Sequence, residues 1–114
     1  MEQATTIEVA GNARVVTLSG EIDAYTAPSL RLDLRHLVET GTPVVVVDLS
    51  TVTFLDSSAL GALVGALRRL RERNGRLLIV PPQSAASRIF ELTGLDGVLD
   101  LYEDRDAALS AANG

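Results

Sequence analysis

Residues 5–10 and 15–19 alternate polar and apolar side chains, with Gly11-Asn12 between them. Period-two alternation broken by a two-residue turn predicts a β-hairpin. Gly20-Glu21-Ile22-Asp23 closes the second strand. The pattern then changes to a helical one. Thr26 stands where an N-cap belongs, and Pro28 sits in the first turn, where its missing N–H costs nothing. Leu30, Leu34, Leu37 and Val38 share one face, and Gly41 stops the helix. Pro43 introduces the run Val44-Val45-Val46-Val47, which suits a central strand covered on both faces.

A short loop leads from that strand to a helix over residues 57–73. Its core stripe is Leu60, Leu63, Val64, Leu67 and Leu70, and Asn74-Gly75 ends it. Residues 77–80 read as another buried strand, stopped by Pro81-Pro82. Residues 84–92 read as a helix with Ile89, Phe90 and Leu92 inward and Gly94 at its end. Residues 98–102 read as a last strand or extended piece, and residues 104–112 as a short terminal helix. Residues 111–114 are expected to fray. The order is β-β-α-β-α-β-α-β-α. Strands alternating with helices after an opening hairpin imply an α/β fold, a mostly parallel sheet with an antiparallel edge.

At 114 residues the chain is expected to form one domain spanning 1–114. The aromatic content is only 4%, so the core is Leu, Val, Ile and Ala. The net charge of -5 argues against nucleic acid and anionic membrane surfaces as partners. No cysteine is present, which removes disulfides, zinc–thiolate sites and thiol catalysis. The start lacks the basic and apolar regions of a secretory leader. The longest apolar stretch, residues 59–67, is about half the length that spans a bilayer. A cytoplasmic protein without metal or cofactor is expected.

The candidate chemistry centres on Asp56-Ser57-Ser58, at the start of a helix fed by an apolar strand. The helix dipole favours negative charge there, and nothing in the sequence makes Ser57 a nucleophile. A modification site, with Ser57 as phosphate acceptor, fits that setting. The plain alternative is that Asp56 or Ser57 only caps the helix. Ser57, Gly61, Gly65 and then Arg68 or Arg69 fall on one stripe. Glycine inside a helix costs up to about 1 kcal/mol relative to alanine, so something comes close to that stripe: a neighbouring element of the same fold, or a partner reaching Ser57. Glu21 and Asp23 are either a solvated turn or an acidic group beside Ser57 that helps position a kinase or its nucleotide-bound metal. His36, the one histidine, is expected to face solvent. A Ser-His-Asp hydrolase would have to use it, and no Gly-x-Ser-x-Gly elbow accompanies Ser57. No Walker loop or Gly-x-Gly-x-x-Gly is present. The basic helix end, residues 68–73, is explained by the dipole's preference for cations.

Taken together, Leu18-Ser19-Gly20-Glu21-Ile22-Asp23, Val47-Asp48-Leu49-Ser50, Phe54-Leu55-Asp56-Ser57-Ser58-Ala59-Leu60-Gly61 and Ile89-Phe90-Glu91-Leu92-Thr93-Gly94-Leu95 resemble a STAS domain of the bacterial anti-sigma factor antagonist type. The resemblance covers almost the whole chain. It implies a STAS-type mixed β-sheet, parallel in its core with an antiparallel N-terminal edge, packed with about four helices. It implies a regulatory binding protein and not an enzyme, with Ser57 as the phosphorylated residue. The implied partners are an anti-sigma factor that is itself a serine kinase, whose bound ATP supplies the phosphate, and a serine phosphatase that removes it. The unphosphorylated form binds the kinase and frees the sigma factor. Asp23, Thr26, Asp56, Ser57, Ser58, Gly61 and Gly65 are the expected partner-binding residues. The family usually has glycine where this chain has Ala59, which is expected to put a methyl group near Ser57. The alternative is a constitutive STAS subunit of a stress-signalling scaffold or lipid-transport complex.

Overall fold

The computed structural model describes residues 4–114. Residues 1–3, part of the stretch read for a leader, lie outside the described residues. Five strands form one sheet in the order β1-β2-β3-β4-β5: β1 (Ala4–Ala10), β2 (Ala13–Ile22), β3 (Val44–Leu55), β4 (Arg76–Val80) and β5 (Asp100–Leu101). The β1–β2 pair is antiparallel and the other three pairs are parallel. Four helices accompany them: α1 (Ala27–Glu39), α2 (Ser57–Glu72), α3 (Arg88–Leu92) and α4 (Arg105–Asn113).

The period-two rule divides the strand residues between two layers. Val45, Val47 and Leu49 of β3 join Val16 and Leu18 of β2 under α1 and α2. Val44 and Val46 join Ala13 and Val15 on the opposite face, under Ala108 and Ala112 of α4. The apolar run of β3 is therefore buried on both sides, as a central strand requires. Asp48 points to the α4 face, where it is 5% exposed. Its carboxylate accepts from the Ser50 N–H at 2.9 Å and lies 3.7 Å from Arg105, which also pairs with Glu8 at 2.9 Å.

Three expectations need correction. The stretch after Val47 is not a loop: β3 continues to Leu55, and only Asp56 separates it from α2. Buried positions there fall three apart, at Val52 and Leu55, because irregularities interrupt the pairing with β2. Residues 84–92 are not one helix but a 3-10 turn, Ala85–Ser87, followed by the single turn and a half of α3. Within it Phe90 is buried and Ile89 half-buried, while Leu92 is 84% exposed, since a helix this short has only one covered side. The C-terminal residues are tied down. The Asn113 side chain accepts from the Asn12 N–H at 2.9 Å and donates to the Ala10 carbonyl at 3.2 Å. Gly11, at φ +64, supplies the positive-φ position of the hairpin turn, and a Cβ there would strike Asn113.

The remaining core stripes follow the pattern. Leu30, Leu34, Leu37 and Val38 of α1 are buried, as are Leu60, Leu63, Leu67 and Leu70 of α2, with Val64 half-buried at the stripe's margin. Among the described residues no helix is long and apolar enough to cross a membrane.

Candidate functional site: the paired loops after two parallel strands

Strands β2 and β3 end level with each other, Ile22 opposite Leu55. That level finish depends on the irregular pairing. Thr17 faces Asp48, but Ser19 faces Thr51 and Glu21 faces Phe54, so β3 contributes two more residues than β2 over the same length. The result sets the β2–α1 loop beside the start of α2. The Asp56 N–H donates to the Ile22 carbonyl at 3.2 Å, and the Ala24 N–H donates to Asp56 Oδ2 at 3.1 Å. The two loops meet, and Asp56 joins them.

Asp56 is also the cap of α2. Its backbone is extended, and Oδ1 accepts from the N–H groups of Ser58 at 2.9 Å and Ala59 at 3.2 Å. These are two of the N–H groups that a helix start leaves without intrahelical partners. Capping thus falls to Asp56, leaving Ser57 as the first helical residue. Ser57 is exposed, and its hydroxyl makes no hydrogen bond among the described residues. Ser58 is half-buried. The order Asp-Ser-Ser therefore separates two jobs: a carboxylate fixes the helix end and a free hydroxyl stands one residue beyond it, where the dipole tolerates added negative charge.

Thr26 occupies the N-cap position of α1, but its hydroxyl does not cap that helix. It reaches back to the strand end, where Thr26 Oγ1 accepts from the Asp23 N–H at 2.9 Å. The Asp23 carboxylate in turn accepts from the N–H groups of Tyr25 at 2.9 Å and Thr26 at 3.2 Å. Asp23 and Thr26 build a turn whose apex presents Tyr25, 93% exposed. Phe54, two residues before Asp56, is 47% exposed. Neither aromatic is among the expected partner-binding residues. Their signal was position: each lies two residues from a strand-end aspartate, where a scarce aromatic has no core to join.

The glycine stripe is open at one level and occupied at the other. At Gly61 a Cβ would lie 3.0 Å from the Arg31 guanidinium of α1, while at Gly65 its nearest neighbour would be Arg69 of the same helix, at 3.6 Å. No backbone of another element packs on either. His36 is exposed in the last turn of α1. Arg31 near the start of α1 donates to the Ser58 carbonyl, and Arg73 at the end of α2 donates to the Val38 carbonyl, so the two helices run in the same direction. His36 is thus at the far end from Ser57, which removes the histidine that a serine hydrolase would need. Among the described residues no group of three or more potential ligands could hold a metal ion.

This geometry can be set beside known proteins. The family model described as the STAS domain matches residues 4–108. The chain belongs to the STAS domain family. A STAS relative from Listeria monocytogenes, an anti-sigma-B factor antagonist, is 38% identical over 87 residues, covering 75% of each chain. The anti-sigma-B factor antagonist of Staphylococcus aureus is 35% identical over 88 residues, 77% of this chain and 82% of that one. The crystal structure of an anti-sigma factor antagonist from Mycobacterium paratuberculosis superposes with a TM-score of 0.90 at 36% identity, over 99% of this chain and 96% of that chain. The expected STAS fold is present: a five-stranded sheet with one antiparallel pair, and four helices. One expectation about this STAS domain changes. Ala59 is fully buried, so its methyl group packs into the core under α2 and does not crowd Ser57.

Proposed function

We propose that this STAS domain is an anti-sigma factor antagonist whose binding is switched off by phosphorylation of Ser57. Its unphosphorylated form binds an anti-sigma factor with serine kinase activity and so frees the sigma factor. ATP held by that kinase phosphorylates Ser57, and a serine phosphatase reverses the mark. The observation that carries this reading is the exposed, unengaged Ser57 hydroxyl directly after an aspartate whose oxygens are all spent on backbone N–H groups. The names of relatives 35–38% identical to this chain support the antagonist role. The partner-binding surface on this reading comprises Asp23, Thr26, Asp56, Ser57, Ser58, Gly61 and Gly65, within one STAS domain spanning residues 1–114.

The switch is electrostatic. A phosphoserine adds nearly two negative charges. At the start of α2 the domain itself tolerates them, so no unfolding is expected. In a partner interface the phosphate sits near Asp56 and Asp23 on a surface that must lose its water. Repulsion and burial of an unpaired charge cost about 2–5 kcal/mol, roughly a 30- to 5,000-fold loss of affinity.

Affinity capture from the host lysate with wild type and Ser57→Asp as baits tests the reading. Wild type should retain an ATPase of the serine-kinase type, identified by mass spectrometry, and Ser57→Asp should lose it. Equal retention of scaffold or transporter subunits by both baits would overturn it in favour of a constitutive subunit.

A further inference from the structure

We infer that Arg31 is the phosphate clamp of the modified domain: once Ser57 carries a phosphate, the Arg31 guanidinium leaves the Ser58 carbonyl and pairs with it. This rests on Ser57 being the acceptor and adds a residue of α1 to the switch. Arg31 lies across the interhelical boundary, its Nη2 donating to the Ser58 carbonyl at 3.4 Å. That bond is long and its side chain is exposed, so little holds it in place. The same Nη2 stands 3.0 Å from where a Cβ on Gly61 would be. Gly61 is one helical turn from Ser57, and side chains so spaced have Cβ atoms about 5–6 Å apart. The guanidinium therefore already rests on the stripe that Ser57 heads, one turn away, in space that the missing Gly61 side chain leaves free.

The charges around Ser57 make Arg31 the natural partner. Asp56 and Asp23 stand on the two loops that meet beside the serine, and a carboxylate offers a phosphate no donor; both Asp56 oxygens and Asp23 Oδ1 are moreover engaged by backbone N–H groups. The other arginines of the stripe, Arg68 and Arg69, begin two turns beyond Gly61. The chain has no lysine, so the cation available is a planar fork that matches two phosphate oxygens at once. Phosphorylation would thus exchange a weak bond to a neutral carbonyl for a charge-assisted, two-pronged one. It would also move a long side chain from the Gly61 level of the stripe across to Ser57 at its head, and fix it there. The switch gains a steric part alongside the electrostatic one, and the modified serine becomes shielded from a phosphatase.

The test places phosphoserine genetically at position 57 of the full chain, so that no kinase is needed. Phosphorus NMR then follows the second ionisation of the phosphate in the wild-type, Arg31→Gln and Gly61→Ala backgrounds. A paired guanidinium favours the dianion. The phosphate of Arg31→Gln should therefore titrate higher than wild type by about half a unit or more. Gly61→Ala, whose methyl group displaces the flexible end of Arg31, should move it in the same direction by less. Alkaline phosphatase should dephosphorylate Arg31→Gln several-fold faster. Identical titration curves and dephosphorylation rates in wild type and Arg31→Gln would overturn the clamp. Failure of Ser57 to accept phosphate from any kinase would instead strike the proposed function and leave this titration unchanged.

Discussion

Asp23 and Asp56 hold matching places, each the first residue after a parallel strand and just ahead of a helix, yet they hold different things together. The Asp23 carboxylate stays inside its own turn, accepting from Tyr25 and Thr26 two and three residues on. The Asp56 carboxylate caps α2 with one oxygen and grips the neighbouring loop at Ala24 with the other. Asp23 shapes a local apex, while Asp56 is the joint of the site. The difference shows why an acidic residue beside an exposed serine need not act on it. With every oxygen engaged by backbone N–H groups, Asp56 fixes where Ser57 stands and, on the proposed function, contributes negative charge that a partner meets.

The largest effect expected from this contrast is on binding. Phosphorylation of Ser57 should weaken the anti-sigma factor complex by about 2–5 kcal/mol, read by calorimetry or anisotropy with purified partner. A phosphate placed on Ser58 should do less, because that residue is half-buried and its N–H is bound by Asp56. Next is the joint itself. Asp56→Ala removes a cap and a cross-loop bond, and urea unfolding should report a loss of about 2 kcal/mol. Asp23→Ala breaks only short-range turn bonds and should cost about 1 kcal/mol or less in the same assay. If the two alanine variants lost equal stability, the distinction between joint and apex would fail. Ala59→Gly should destabilise α2 by about 1 kcal/mol while leaving Ser57 equally accessible to kinase. Ser57→Ala should be the mildest, within about 0.5 kcal/mol of wild type, since its hydroxyl holds nothing.

Much of this was legible from residue order. The hairpin announced itself by alternation around Gly11-Asn12, and the core stripes of α1 and α2 by helical spacing. The start of α2 was legible because an aspartate and two serines follow an apolar strand. The second half of β3 was not. Thr51, Thr53 and Phe54 are exposed, and the irregular pairing breaks the two-residue rhythm that identifies a strand. The meeting of the two loops follows from that same register, which no local pattern encodes. Thr26 misled for a related reason: its place in sequence suits a cap, but the strand end offers its hydroxyl the Asp23 N–H. Leu92 looked like core because its neighbours are, in a helix too short for an apolar face. Arg31 carried no signal at all, since its meaning depends on a glycine 30 residues away on another helix.

The most direct test of the central claim is to incubate the wild-type domain with the purified anti-sigma factor and ATP, map the phosphate by mass spectrometry, and measure binding before and after. The account predicts a single phosphate on Ser57, with affinity falling at least 30-fold as it accumulates, and full binding by Ser57→Ala under the same conditions. Phosphate on another residue, or undiminished binding by a fully Ser57-phosphorylated domain, would contradict it.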